Sequence, residues 1–300
     1  MTDGRVLREG SEGRTLRRTK AFFLFVVLAA TASFGYSQSL GLKLCGGLSY
    51  AGGGDLAKGI KGETEYLGAD YSLTGEFQAP YLGTEIGGEL VFYFGSKFGI
   101  GLGVGYSRHA KESAVSYNID VVGVKESLKP KYSVVPITAN LHYFLALSPD
   151  ISLDLTAGAG YYLAMLDWDH RLDMEIMGYT GNFEYTFKST KGAVGFQAGL
   201  GLEMKITSRA ALVWTVWGRY ASISELKGDW TDKGGGELWS YEDSGSDGYA
   251  WYYDLQYGGQ TYARVVFDTD KPAGSNFSEV RYAKLSLTGI VTTVGLKFSF

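Results

Sequence analysis

From residue 39 onward, apolar and non-apolar positions alternate in segment after segment. In 39–50, SLGLKLCGGLSY, the residues Leu40, Leu42, Leu44, Leu48 and Tyr50 share one face of an extended chain. Gly41, Lys43, Cys45, Gly47 and Ser49 share the other. The same period of two runs through 83–94 (Ile86, Leu90, Phe92 and Phe94 against Glu85, Gly87 and Glu89) and 98–109. It recurs in 134–147, 151–164, 193–206 and, less cleanly, 210–221. It returns in 293–300, where Val294, Leu296, Phe298 and Phe300 alternate with Thr293, Gly295, Lys297 and Ser299. The period predicts eight strands.

The non-apolar face decides what kind of sheet these strands build. In a water-soluble sandwich that face is charged and the apolar face interlocks with a second sheet. Here it is mostly glycine and small polar groups, as in Gly99, Gly101, Gly103 and Gly105 of GIGLGVG and its flank. Glycine weakens a strand and packs nothing, so it is placed where room is short. The interior of a closed barrel of about eight strands is such a place. The leucines and phenylalanines then face lipid. The predicted fold is all-β: a transmembrane up-and-down antiparallel β-barrel of eight strands.

The connections agree. GSK (95–97), SPD (148–150) and TSR (207–209) are tight turns, whereas 51–82, 110–133, 165–192 and 222–282 are long. Short and long alternate, as they do in barrels with short periplasmic turns and long extracellular loops. Phe92, Phe94, Phe98, Tyr143, Phe144, Phe298 and Phe300 gather near the short-turn ends. Tyr106, Tyr161, Tyr220 and Tyr282 lie toward the other ends, suggesting two interfacial girdles. An alternative of ten strands is open, because YAWYYDLQY and TYARVVF flank Gly258-Gly259 and read as a hairpin.

Composition alters this picture at the N-terminus. RTLRRTK followed by AFFLFVVLAA reads as the basic and apolar regions of a signal peptide. Cleavage is expected after Ala32 or Ser37, leaving 38–300 as the barrel domain. Residues 1–20 hold six basic and three acidic residues, so the exported part is acidic, with 22 basic against 29 acidic residues. Nothing in it gives the basic footprint of a nucleic-acid binder. One cysteine, Cys45, allows no intramolecular disulfide, and no Cys/His cluster suggests zinc.

The chemistry-bearing candidates fall into three groups. Lys43, Glu85, Glu89, Asp154, Glu203, Lys205, Arg219 and Lys297 point inward and form a candidate interior polar network, either a plug or the lining of a narrow path. Trp239, Tyr241, Tyr249, Trp251, Tyr253 and Tyr257 form a candidate contact surface, since rigid aromatic rings bind at low entropic cost. The alternative is aromatic pairing within β-structured loops. His109, and His170 in DWDHRLD beside Asp167, Asp169 and Asp173, raise a catalytic or divalent-cation reading that the spacing does not fix. His142 reads as a satisfied interior group. No catalytic, cofactor or metal residue is assigned, and no cofactor is expected.

KYSVVPITANLHYFLA, LTAGAGYYLAML and VGFQAGLGLEMKI resemble successive strands of small outer-membrane β-barrel proteins of the PorT-like or OmpX-like kind. The resemblance covers about 131–206 and implies an eight-stranded barrel without catalytic residues. Val294, Leu296, Phe298 and Phe300 resemble the C-terminal assembly signal read by the barrel-insertion machinery. The expected role is structural or surface-binding, through aromatic, acidic loops at the cell surface of a bacterial outer membrane. Its partners would be outer-membrane lipid, the insertion machinery and an extracellular ligand or host surface, with no nucleic acid. The rival expectations are a narrow channel for small or apolar solutes, and a lipid-modifying or proteolytic barrel enzyme.

Overall fold

The computed structural model describes residues 39–236 and 239–300. The targeting segment read in 1–37 lies outside them. The ring strands are β1 (Leu40–Ala51), β3 (Leu82–Phe94), β4 (Phe98–Ala110), β6 (Val122–Ala146), β7 (Ile151–Ile176), β8 (Tyr179–Lys205), β9 (Ala210–Ile223) and β15 (Gly289–Ser299). Each pairs antiparallel with the next in that order, and β15 returns to β1. The ring therefore closes with eight strands, one for each alternating segment of the sequence.

The sheet as a whole is larger. Among the described residues, seven further strands lie off the ring, six of them in stretches that the sequence pattern assigned to long loops and the last just beyond 222–282: β2 (Thr74–Gly75), β5 (Ser113–Ile119), β10 (Lys227–Gly236), β11 (Ser240–Tyr257), β12 (Gln260–Asp268), β13 (Phe277–Tyr282) and β14 (Leu285–Ser286). The hairpin around Gly258-Gly259 is β11–β12. It pairs with β10 and β13 and takes no part in the ring, so it does not make a ten-stranded closure. The segment 51–82 holds a helix, α1 (Asp55–Asp70), rather than a loop.

The segment 165–192, and 122–133 of the segment 110–133, continue ring strands. β6, β7 and β8 run for 25, 26 and 27 residues. At ~3.3 Å per residue each has a contour of roughly 85 Å, when a tilted spanning strand needs only ~10 residues. Polarity inverts along the way. In β6 the outward face reads Val135, Ile137, Ala139, Leu141, Tyr143 and Leu145 near the turns, but Lys125, Ser127, Lys129, Lys131 and Ser133 farther out. The inward face does the reverse: Thr138, Asn140 and His142 give way to Val134, Tyr132, Leu128 and Val124. β7 switches similarly between Met165 and Asp167. The upper halves thus form a crown with an apolar core of its own, including Leu56, Ile60, Tyr132, Tyr162, Trp168, Phe187 and Phe267.

Around the ring, the outward residues form an apolar belt. Leu141 and Val194 are 66% and 67% exposed, and Leu48, Ile86, Val104 and Phe196 are likewise uncovered. Such a continuous apolar surface is not left to water. Two aromatics placed in the girdles by sequence lie elsewhere. Phe144 is buried inside the ring, because the strand period turns it inward with His142. Tyr282 stacks on Trp251 in the crown, with ring centroids 4.4 Å apart.

Candidate functional site

The lumen is filled from the turn end. Lys43 donates to Asp154 at 2.6 Å and lies 3.0 Å from Glu203. Glu203 also binds Lys297. His142 stands between Glu89 (3.2 Å) and Asp154 (3.0 Å), and Asn140 donates to Glu89 at 2.6 Å. Lys43 and Lys297 each lie about 5.5 Å from the ring centroid of Phe144, while Lys297 also lies 5.1 Å from that of Tyr93. Higher up, Arg219 holds Glu85 through both terminal nitrogens, at 2.6 and 3.1 Å.

The inward glycines explain how these groups fit. A Cβ on Gly101 would sit 2.2 Å from the Glu89 carboxylate, and one on Gly158 would sit 2.0 Å from Asn140 Oδ1. Glycine opens the room that its neighbours' polar side chains occupy, which is the physical content of the Gly-x-Gly face. What remains is a cavity of about 90 Å³ between the Lys43 layer and Arg219. Above it, Tyr132 and Tyr162 are buried at the base of the crown core.

Seven of the eight proposed interior charges meet in this way: Lys43, Glu85, Glu89, Asp154, Glu203, Arg219 and Lys297. Lys205 does not. It is exposed at the end of β8 and donates to the Pro149 carbonyl at 2.8 Å, because a strand's last residue projects past the lumen floor. Asn140, Gln197 and His142 complete the network, with Gln197 donating to Asn140 at 3.0 Å. Their signal was their parity with Asp154 along the alternating strands.

The crown divides the proposed contact surface. Trp251 is buried, stacked on Tyr282, and donates to the Asp268 carbonyl. Tyr249 packs on the same pair, and Tyr253 lies 4.5 Å from Phe277. These three pack within the crown. Tyr257 is exposed and donates to Asp70 of α1. Trp239 and Tyr241 remain exposed and stacked, 13° from parallel, beside Phe183. They stand over Gly234, at the mouth of the crown. Next to them opens a polar cleft of about 1030 Å³, whose walls include Asn118, Arg171, Asp173, Thr180 and Asn182.

DWDH does not converge on one point. Period two puts Asp167 and Asp169 on one face and His170 on the other. Asp167 pairs with Lys131 at 2.5 Å, while His170 meets Glu126 at 3.2 Å on the inside. His109 is buried and stacked on Tyr132, 4.6 Å between centroids. Among the described residues no three His, Cys, Asp or Glu side chains form a cation-binding group.

A closed antiparallel ring with a greasy outside and a braced polar inside defines an outer-membrane β-barrel. The chain belongs to the outer membrane protein beta-barrel domain family, whose model matches residues 21–240. Membership places it in the bacterial outer membrane. Among solved structures it is similar to a major outer membrane protein from Thermus thermophilus, at 11% identity and a TM-score of 0.37, covering 88% of this chain and 100% of that one. It is also similar to the outer membrane protease OmpT from Escherichia coli, at 12% identity and a TM-score of 0.27, covering 88% and 95%. Both are too distant to carry a function across. No curated protein sequence matches the chain.

Proposed function

We propose that this protein is a plugged eight-stranded barrel of the PorT-like or OmpX-like kind, anchoring a binding crown at the cell surface. The short turns face the periplasm, and the signal peptide directs export. The observation that supports a plug over a conduit is the double closure of the lumen. Lys43, Asp154, Glu203 and Lys297 brace its floor, and the crown's apolar core roofs it. Each of these four charges has an opposite charge within 3.0 Å, so the floor offers a solute no unpaired ion to follow. Trp239 and Tyr241 beside the polar cleft supply the binding face, since exposed rigid rings next to adaptable polar groups suit recognition.

The test has two arms. Reconstituted in planar bilayers, the folded barrel is expected to pass no steady current, and step conductances would overturn the plug. On intact cells, a cysteine placed at Ser244, beside Tyr241, is expected to react with an impermeant maleimide. Labelling only after cell breakage would overturn the orientation. An assay of cell adhesion to glycan- and protein-coated surfaces, with and without Trp239→Ala and Tyr241→Ala, then reads the binding role.

A further inference from the structure

A second cavity lies deeper in the crown and belongs to neither the lumen nor the mouth. It has a volume of about 230 Å³ and lies between α1, β12 and the inward faces of β6, β7 and β8. An apolar cavity of ~150 Å³ holds one benzene ring, so this one has room for a ring and a small substituent. Its walls are aromatic: Phe77, Trp168, Tyr185 and Phe267. These rings are fixed by their neighbours. Trp168 packs against Phe267 at 4.9 Å, and Tyr185 donates to the Phe267 carbonyl at 3.1 Å.

The polar side chains of this cavity belong to Glu63, His170, Tyr185, Tyr253 and Arg264. Arg264 lines it, binds Glu63 of α1 at 2.7 Å through one terminal nitrogen, and stacks on Tyr66. Its Nε is buried, and no group among the described residues accepts a hydrogen bond from it. A buried donor of a charged group is costly to leave unmade. His170 also lines the cavity, but its Nε2 is committed to Glu126, which Tyr117 binds from the other side. The unmade hydrogen bond at this site is therefore a guanidinium N–H, beside the Glu63 carboxylate that also lines the cavity. Glu63 engages only one terminal nitrogen of Arg264, so the Nε edge of the guanidinium is left without an acceptor.

From the aromatic walls and the unmatched Arg264 donor, we infer that the crown cavity binds a small aromatic monoanion of the benzoate class. The ring lies among Phe77, Trp168 and Phe267, and the carboxylate faces Arg264. Pockets with mostly apolar linings and one or two placed polar groups bind ligands in this way. The inference concerns a site apart from the mouth cleft, so the surface-binding reading survives its failure.

The experiment is calorimetry on the full chain folded in detergent, with protein-free micelles as the blank and heat-modifiable gel migration as the check of fold. Benzoate is the probe and benzyl alcohol its neutral analogue. Benzoate is expected to bind about tenfold tighter than benzyl alcohol, the order of one charge-assisted hydrogen bond. Arg264→Gln should erase that difference while leaving benzyl alcohol unchanged. Should that variant fail to fold, Glu63→Gln carries the test, because removing the competing carboxylate should tighten benzoate several-fold. Benzoate heats equal to the blank, equal affinity for the two probes, or a folded Glu63→Gln that fails to bind benzoate more tightly would each overturn the assignment.

Discussion

Gly62 of α1 lies flat against the backbone of Ala263 in β12. A Cβ at Gly62 would stand 1.9 Å from the Ala263 carbonyl oxygen, and one at Gly59 would stand 2.6 Å from the Val265 side chain. The helix docks on the strand through these two glycines, which brings Ile60 and Leu56 into the crown core. Gly68, by contrast, is exposed and would meet only the Leu73 side chain, at 3.6 Å.

The two glycines therefore predict opposite responses. Gly62→Ala must push helix and strand apart and should destabilise the crown by about 1–3 kcal/mol, as overpacking does. Gly68→Ala should stabilise the helix by roughly 0.5–1 kcal/mol through propensity alone. Limited proteolysis of the folded protein reads both. Cleavage within 55–80 should quicken in the first variant and slow in the second. Equal protease sensitivity would mean that α1 is not docked as described.

These glycines also show why part of the fold was hidden in the sequence. Gly59, Gly62 and Gly68 make 55–70 read as loop, and only the close approach of β12 gives two of them a reason to be there. The ring was legible because Leu44, Leu90, Leu141 and Leu200 lie on the apolar face of the sheet and Gly47, Gly87, Gly101 and Gly199 lie on the other. The crown was not, because the parity of the apolar residues reverses near Val134 in β6 and near Met165 in β7. A reader who requires the outward face to stay apolar ends each strand at that point. Lys205 was misplaced for a related reason: parity says which face a residue is on, but not whether the lumen still extends beside it. Trp251 and Tyr253 were legible as aromatics of a hairpin. Their packing depends on β13, whose Tyr282 and Phe277 come from a later stretch of chain.

Acid should loosen the crown through Glu126. Burial pushes this carboxyl up, but hydrogen bonds from His170 and Tyr117 outweigh it and hold it below its ordinary value of 4.5. A depressed carboxyl contributes stability that is present above its unfolded value and is lost as pH falls through the folded one. Glu63, raised by burial, runs the other way: its contribution is present at low pH and is lost as pH rises past 4.5. Hydrogen exchange of the β5–β6 amides should therefore speed up as pH is lowered below 4.5, after correction for intrinsic rates. In Glu126→Gln that acid-induced component should vanish. If the variant keeps the full acid response, another group controls the crown.

The final strand offers a kinetic prediction. Phe300 is 75% exposed, and its amide donates to the Leu40 carbonyl at 2.8 Å, so it adds little to packing. With Val294, Leu296 and Phe298 it is proposed to be read during insertion instead. Phe300→Ala should thus leave the unfolding midpoint of the refolded barrel within about 0.5 kcal/mol of wild type, as surface changes do. Delivery to the outer membrane in cells should nevertheless fall several-fold. Equal amounts in outer-membrane fractions, measured by immunoblot, would remove the assembly role.

The braced floor of the lumen gives the largest expected energetic effect. Lys43 is nearly enclosed and holds two carboxylates, Asp154 and Glu203, at 2.6 and 3.0 Å. Lys43→Met keeps the volume of the side chain but strands Asp154 beside Glu203, and removing one partner of a buried pair costs about 3–5 kcal/mol. Pairing Lys43→Met with Asp154→Asn should recover much of that loss, because the amide can still accept from Thr156 and His142 without a charge to balance. Lys205→Met should change stability by less than about 0.5 kcal/mol, since that ammonium group is solvent-exposed. Urea unfolding in lipid vesicles, followed by tryptophan fluorescence, measures all three on one scale. If Lys43→Met costs no more than Lys205→Met, the floor is hydrated, and the charges there line a path through the ring.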